Sequence, residues 1–224
     1  MKDKTTIGNA ETSHAIDLVI RNRCTKKVLA DGDLAPMLDD DSILAFDSSV
    51  KECIDVSGWA PFHYDRRTDG VAEPWRYALF FNRACREIGE NFDDWFDNVK
   101  PSNKLPKMLK ACGALILVNW LPESEEGNDK IVQVNEEHLA AASAATQNLI
   151  LALEARGFGT YWSSGGVLGS KTLYSRYGIH PESRLIAAVF VNYPGLYPEG
   201  SCEVIPGKNR EKRSDWTRWT TVIE

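Results

Sequence analysis

Three short apolar runs have the length and composition of β-strands. The run 114–120 is almost continuously apolar, which is typical of a strand covered on both faces. The run 75–81 follows a proline and is rich in aromatic residues, so it predicts a buried strand, and the run 185–191 is the last strong strand signal. Long helical patterns separate these strands, and together they predict a single α+β domain.

Two helices are predicted in the first quarter of the chain. Apolar positions at helical spacing predict a short helix over 14–22, with Ser13 as its N-cap. A polar turn, 21–27, follows it. A second helix begins after Asp41 or Ser42 and ends near Pro61, because a residue before proline avoids helical backbone angles.

Three further helices are predicted beyond residue 80. Aromatic residues at helical spacing predict a helix over 83–99, and a shorter one is expected over 104–110. The segment 135–156 predicts a long helix with one apolar face. Its small residues at 140–145 allow close packing, either in the core or against a second subunit.

Composition narrows the function classes. The chain has 224 residues, a formal net charge of −6 and 26% charged residues, as in ordinary globular proteins. The acidic balance argues against nucleic-acid binding, which needs a basic face for phosphates. Basic residues nevertheless cluster at 21–27 and 208–218, either as solvated surface charge or as the site of an anionic cofactor.

The cysteines and the N-terminus bear on compartment. Five cysteines are widely spaced and four histidines are scattered, so we expect free thiols in a reducing, cytoplasmic setting and no metal centre. The polar segment 1–13 lacks the apolar stretch of a signal peptide, and no apolar run approaches the roughly 20 residues that span a bilayer. We expect residues 1–13 to be a flexible extension and 14–224 to be one domain.

The segment 157–166, GFGTYWSSGG, carries the strongest functional signal. It predicts a helix end, a short strand and then a loop of exposed backbone. Glycines in such a loop let main-chain N–H groups approach a flat or anionic ligand. With the basic turn at 21–27 and the Pro-Trp-Arg sequence at 74–76, it indicates a flavin site.

Four sequence blocks, taken in order, resemble the FMN-dependent nitroreductase family. They are NRCTK at 22–26, APF at 60–62 with EPWR at 73–76, GFG at 157–159, and the basic segment 208–213. The resemblance covers about residues 14–215, and the sequence WSSG at 162–165 is similar to a Trp-x-Ser-Gly subgroup. It implies an α+β nitroreductase-like fold with a central, mostly antiparallel sheet flanked by long helices. It also implies an intertwined homodimer with FMN at the subunit interface and the tail around Trp216 and Trp219 as an exchanged arm.

The resemblance assigns the cofactor contacts. The basic turn would hold the FMN phosphate, since charge-assisted hydrogen bonds to phosphate are strong. Cys24 stands where the family has serine, so Thr25 is the candidate to replace that hydroxyl. Main-chain N–H groups near Ser164 would face the flavin N5, while Trp75 either packs in the core or touches the flavin. The predicted cofactor-binding residues are Arg21, Arg23, Cys24, Lys26, Pro61, Phe62, His63, Arg76, Trp162, Ser163, Ser164, Gly165, Arg210 and Arg213, with Lys212 an alternative in the last cluster.

The implied activity is transfer of hydride from NAD(P)H to a small organic acceptor, such as a nitroaromatic or a quinone, in a ping-pong cycle. It requires no catalytic acid–base pair, although His63 or Tyr64 could polarise an acceptor. Three alternatives remain: a flavin-binding sensor or cofactor store, another flavin chemistry on the same fold such as reductive dehalogenation or flavin breakdown, and an interaction protein with surface basic clusters.

Overall fold

A four-stranded antiparallel sheet forms the centre of the molecule. The computed structural model describes residues 10–32, 34–66, 70–97, 104–123 and 130–207. The strand order is β2-β3-β5-β4, and the strands are β2 (Trp75–Phe81), β3 (Ala114–Trp120), β4 (Gly159–Ser163) and β5 (Arg184–Asn192). The strands predicted at 75–81, 114–120 and 185–191, and the short strand after the glycine pair, are therefore confirmed.

Burial falls off from the middle of the sheet to its edges. Every residue of β3 is buried, as its continuous apolar run predicts. β2 is an edge strand, and only Trp75 and Phe80 in it are fully buried. The prediction of a buried strand is thus wrong for the middle of β2, because an edge position leaves one side of a strand uncovered.

A second, two-stranded sheet was not predicted. It pairs β1 (Lys26–Ala30) with β6 (Cys202–Pro206), antiparallel. The polar turn predicted over 21–27 is therefore too long, because its first two residues end a helix and its last two begin β1. Only residues 23–25 form the turn.

Seven helices are described along the chain, together with a 3-10 turn at Gly166–Gly169. Their bounds are α1 (Ala10–Asn22), α2 (Asp40–Ser57), α3 (Asn82–Glu90), α4 (Phe92–Trp95), α5 (Leu105–Ala111), α6 (Ile131–Ala155) and α7 (Lys171–Tyr177). No helix within the described ranges combines the length and apolarity needed to cross a membrane.

Several helix ends differ from the prediction. α1 begins at Ala10, so Ser13 lies inside the helix and is not its N-cap. The N-cap of α2 is Asp39, whose Oδ1 accepts the Ser42 N–H at 2.8 Å, in place of Asp41 or Ser42. The helix predicted over 83–99 is divided at Asn91 into α3 and α4. Capping depends on which side chain folds back onto the backbone, and several adjacent polar residues satisfy the same pattern.

The core lies on both faces of the sheet. One face packs against α3, α5 and α7, and its buried residues include Ile88, Leu109 and Leu173. The other face packs against α2 and α6, with Val50 and Leu149 among its buried residues. This arrangement buries all of β3 and residues 187–191 of β5, and it leaves β2 and β4 as the edge strands of the sheet.

Candidate functional site

The basic turn, the start of β4 and the end of β6 meet around Thr25. Thr25 forms an isolated parallel bridge with Thr160, and its carbonyl oxygen accepts the N–H of Gly207 at 2.7 Å. The Asn192 side chain donates to the carbonyl oxygen of Lys26 at 2.9 Å. Two of the four sequence blocks, the basic turn and the GFG segment, are thereby brought to one corner of the sheet, together with Gly207, which follows β6.

Two cations at this corner have no described acidic partner. Arg23 is half-buried and Lys26 is exposed. Among the described residues, no carboxylate forms an ion pair with either side chain. Arg21 differs, since it lies on α1 and pairs with Asp17 at 3.7 Å. The corner therefore offers unneutralised positive charge from Arg23 and Lys26, which suits a phosphate group.

Gly159, the first residue of β4, leaves the space in which the Lys26 side chain lies. A Cβ at Gly159 would lie 2.8 Å from Cδ and 3.3 Å from Cβ of Lys26. The lysine stem therefore crosses directly over the backbone of Gly159, and any larger residue there would displace it. Lys27 points elsewhere, with its Nζ 5.2 Å from the centre of the Tyr161 ring.

The loop after β4 presents backbone along the same sheet edge. Gly165 and Gly166 have positive φ angles of 79° and 54°, which only glycine adopts readily. The N–H of Gly165 donates to Oγ of Ser163 at 3.1 Å, so this group is already satisfied. Within the described residues nothing accepts from the N–H of Ser164 or of Gly166, both of which are exposed.

These features form a continuous row that fits an aromatic mononucleotide. Within the described ranges, cations without acidic partners lie at one end, at Arg23 and Lys26, and the exposed residues Ser164 and Gly166 present their N–H groups at the other. Trp162, which is exposed, lies between these ends along β4. A phosphate would bind at the first end, and a ring nitrogen or oxygen would accept from the second. The residues present therefore fit FMN, with the N–H of Gly165 already donating to Oγ of Ser163.

The second sequence block lies at the opposite corner of the same chain. The Phe62 ring packs edge-on against the Trp75 ring, with centroids 5.6 Å apart, and Trp75 starts β2. β2 and β4 are separated by three strand spacings, about 14 Å. Trp75 and Gly159 also lie at opposite ends of the sheet. Through the strand pairings, Trp75 lies level with Arg184 of β5, whereas Gly159 lies level with Asn192. These positions are eight residues apart, about 26 Å along β5. Pro61, Phe62 and His63 are thus not brought together with the basic corner.

Arg76 also belongs to this far corner. Its guanidinium donates to the carbonyl oxygens of Glu73, Trp75 and Val71, so it closes the turn that enters β2. His63 is exposed and packs edge-on against the Tyr64 ring, with centroids 4.5 Å apart. Tyr64 is held in turn through its carbonyl oxygen, which lies 3.1 Å from Nε2 of the buried His138.

Comparisons with known proteins agree with this architecture. The nitroreductase CinD from Lactococcus lactis, solved in complex with chloramphenicol, has a TM-score of 0.62 at 12% identity and covers 94% of this chain and 98% of its own. A provisionally named nitroreductase of Desulfovibrio desulfuricans, solved in complex with FMN, has a TM-score of 0.54 at 16% identity, with 89% and 92% covered. In sequence, the provisionally named NAD(P)H nitroreductase YfhC of Bacillus subtilis (strain 168) is 25% identical over 158 residues, 67% of this chain and 75% of that protein. No protein-family model matches.

The chain has a nitroreductase-like fold. Both the resemblance inferred from the four blocks and the α+β fold with a central antiparallel sheet are confirmed. The Trp-x-Ser-Gly subgroup, the intertwined dimer and the division of the chain at residue 14 stay predictions. The predicted contacts Arg210 and Arg213, and the alternative Lys212, lie outside the described residues.

Sequence reasoning missed two residues that shape the site of this nitroreductase-like chain. The side chain of Asn192, at the end of β5, donates to the carbonyl oxygen of Lys26. Gly207, which follows β6, donates its N–H to the carbonyl oxygen of Thr25 in the basic turn. A Cβ at Gly207 would lie 2.7 Å from the Thr25 Cβ, so only glycine fits this approach. Neither residue could be recognised from the sequence, because a polar residue or a glycine after a strand is common. The partner of Asn192 is also 166 residues away along the chain.

Proposed function

We propose that this chain is an FMN-dependent oxidoreductase that takes hydride from NAD(P)H and reduces a small organic acceptor. The observation that carries the proposal is the row along β4, with Arg23 and Lys26 at one end and, at the other, the N–H groups of Ser164 and Gly166, which have no acceptor in the described part of the chain. The nitroreductase fold supports it, since a neighbour of that fold was solved with FMN. So does the name of the curated relative, NAD(P)H nitroreductase.

The residues of the row have separate tasks. Arg23 and Lys26 bind the phosphate, and the close approach at Gly159 fixes where the lysine stem lies. The N–H groups of Ser164 and Gly166 donate to the edge of the ring and hold its plane against β4. When bound, FMN supplies the hydride chemistry, and the chain supplies orientation and hydrogen bonds that tune its potential. No side chain has to act as a general acid or base.

We propose a ping-pong cycle in which donor and acceptor use the same space in turn, with a nitroaromatic or a quinone as acceptor. The support is the neighbour CinD, which was solved with chloramphenicol, a nitroaromatic compound. All five cysteines are free, which supports the reducing cytoplasm as the place of action.

We further propose that two copies of the chain share each FMN site. If Pro61, Phe62 and His63 contact the same cofactor as Arg23 and Lys26, one chain alone cannot supply both groups. About 26 Å along the strands and three strand spacings separate them, more than a mononucleotide spans. A homodimer in which each loop reaches the partner's basic corner removes this difficulty.

An absorbance titration tests the cofactor and the donor. Purified protein is loaded with FMN, freed of excess and mixed anaerobically with NADH or NADPH. We expect flavin bands that bleach with at least one nucleotide and return on adding a nitroaromatic or a quinone. Protein that fails to retain FMN would refute the proposal, and FMN that neither nucleotide bleaches would favour a flavin-binding sensor.

Complementation between two inactive variants tests the shared site. One variant carries Arg23→Ala and Lys26→Ala, and the other carries Phe62→Ala and His63→Ala. In a mixed dimer, one site receives both defects and the other receives none, so a mixed dimer should have about half of the wild-type activity. An equal mixture with free subunit exchange should therefore recover about a quarter. A site contained in one chain would give no return of activity on mixing, and light scattering of the wild type would then show whether a dimer forms at all.

A further inference from the structure

A histidine on α6 is buried with only one of its two ring nitrogens hydrogen-bonded. His138 lies near the start of that helix and is 1% exposed. Its Nε2 lies 3.1 Å from the carbonyl oxygen of Tyr64. A carbonyl oxygen can only accept a hydrogen bond, so Nε2 carries a proton and donates. Nδ1 is buried as well, and no group within the described ranges hydrogen-bonds to it.

Packing and stability do not account for this histidine. A buried polar atom without a partner costs at least as much free energy as a neutral hydrogen bond returns. An apolar side chain of similar size would therefore stabilise the fold at least as well. The next buried positions along α6 are indeed apolar and pack in one cluster with Trp75; they are Ala141, Ala142 and Ala145. The use of His138 therefore lies in what its bond to Tyr64 holds in place.

The segment that this bond holds is the loop 61–65 between α2 and β2. In the part of the chain that the structure describes, the bond from His138 is the one hydrogen bond that residues 61–65 form. The rings of the loop pack edge-on, Phe62 against Trp75 and His63 against Tyr64. Segments with few backbone hydrogen bonds open easily. The donor on α6 therefore decides where the backbone of this loop lies.

The end of the loop is tied to the same helix through a second set of contacts. Nε of Arg66 lies 3.7 Å from Oε1 of Glu123, and the Arg66 N–H donates to the carbonyl oxygen of Ala72 at 2.8 Å. The Asn135 side chain on α6 accepts from the N–H of Glu123 at 2.9 Å and donates to its carbonyl oxygen at 3.1 Å. Asn135 and His138 are three positions apart on the helix, so they lie on one face. The start of α6 thus holds the loop at both Tyr64 and Arg66.

We propose that His138 is a positioning residue for the shared flavin site and acts on the partner's cofactor through the backbone of Tyr64. This inference rests on the proposed function, in which Pro61, Phe62 and His63 of one chain reach the basic corner of the other. With the Tyr64 carbonyl oxygen fixed, the three residues before it are held in one arrangement, and less conformational entropy is lost when FMN binds. His138 is itself buried beneath the loop backbone and contacts neither the cofactor nor the acceptor.

FMN affinity, followed by quenching of flavin fluorescence, measures the positioning. His138→Leu removes the donor and fills a similar space, and it should weaken FMN binding about two- to tenfold, the range for one hydrogen bond. His138→Gln should restore the affinity, because the amide N–H of glutamine reaches about as far as Nε2 of histidine. His138→Asn carries the same amide on a side chain one methylene shorter and should not restore it.

Thr146→Val is the matched control on the same helix. The Thr146 hydroxyl is also buried, but it donates within α6, to the carbonyl oxygen of Ala142 at 2.8 Å, so its loss should leave FMN affinity unchanged. Urea unfolding separates positioning from a structural role. His138→Leu should unfold at the same or a higher urea concentration than the wild type, because it removes a buried nitrogen without a described partner. A structural role predicts a lower midpoint.

Subunit mixing tests whether His138 acts across the dimer. The His138→Leu chain is mixed with the chain that carries Arg23→Ala and Lys26→Ala, and FMN is titrated. If His138 serves the partner's site, each mixed dimer has one intact site, so about a quarter of all sites should bind FMN with wild-type affinity after free exchange. If it serves the site of its own chain, no such sites should form. Mixing His138→Leu with the chain that carries Phe62→Ala and His63→Ala should give none either, because both defects then lie in the loop.

A measurement without the cofactor separates this inference from the proposed function. Chymotrypsin cleaves after aromatic residues, and in the FMN-free chain His138→Leu should speed cleavage after Phe62 or Tyr64 about two- to tenfold, with His138→Gln restoring the wild-type rate. If the wild type does not bind FMN, the proposed function fails together with the role of His138 toward the cofactor, while faster cleavage would still show that His138 anchors the loop. If the wild type binds FMN, the inference alone is overturned by unchanged cleavage or unchanged FMN affinity in His138→Leu. It is also overturned if mixing with the Arg23→Ala and Lys26→Ala chain yields intact sites for the Phe62→Ala and His63→Ala chain but not for His138→Leu.

Discussion

Replacing Gly165 by alanine should destabilise the fold through two separate effects. The residue has a φ of +79°, and a Cβ there would lie 2.4 Å from Cδ2 of Leu185 and 3.3 Å from Cβ of Ala188. Gly157 provides a matched control, because its φ is +80° and a Cβ there would meet nothing within 4 Å. Both substitutions therefore put a side chain at a positive φ, and only Gly165→Ala adds a clash.

The expected magnitudes follow from this comparison. A side chain in the left-handed region costs about 1–2 kcal/mol, which is all that Gly157→Ala should lose. Overpacking against Leu185 and Ala188 adds about 1–3 kcal/mol for Gly165→Ala. Since 1 kcal/mol lowers the melting temperature of a chain this size by about 2–4 °C, the two variants should differ by several degrees.

Urea unfolding followed by tryptophan fluorescence measures both losses on the same scale. Leu185→Ala in the Gly165→Ala background should recover part of the clash, and a double-mutant cycle isolates this coupling from the cost of the Leu185 substitution alone. Equal losses in the two glycine variants, or zero coupling with Leu185, would refute the close approach. FMN affinity should fall only in Gly165→Ala, because the clash displaces the loop that carries Ser164 and Gly166.

Three other predictions concern charge and burial. Arg23→Ala and Lys26→Ala should each weaken FMN binding about ten- to a hundredfold, because each removes a charge-assisted hydrogen bond, whereas Arg21→Ala should leave it nearly unchanged. Quenching of flavin fluorescence measures the affinity, and equal effects of all three substitutions would contradict the prediction. Burial raises the pKa values of Tyr77, Tyr174 and Tyr197. Their contribution to stability should be complete below pH about 10, the pKa of tyrosine in the unfolded chain, and should be lost as the pH rises through the higher pKa values of the folded state. A urea midpoint that stays constant to pH 11 would be inconsistent with this prediction. Arg66 is fully buried with its Nε 3.7 Å from Glu123, so Arg66→Met should cost about 3–5 kcal/mol in urea unfolding, and the double variant with Glu123→Gln should lose less.

Local patterns in the sequence were enough to predict the strands and helices that form the core. The apolar run of β3 indicates a strand covered on both sides, and the apolar face of α6 indicates a long packed helix, because burial of these side chains is the dominant stabilising term. The same patterns failed for β1 and β6. These strands are short and carry exposed residues, and each is stabilised by the other across more than 170 positions of sequence.

The candidate site also depends partly on the sequence alone and partly on the tertiary structure. The sequence alone determined which residues could bind an anion and where exposed backbone would occur, since charge and glycine content are properties of each residue. Only the tertiary structure decided which of them meet: Arg23 and Lys26 lie beside Gly159, while Phe62 and His63 lie at the far corner. Proximity is set by strand order and register, and these depend on pairings between distant segments that no local pattern records.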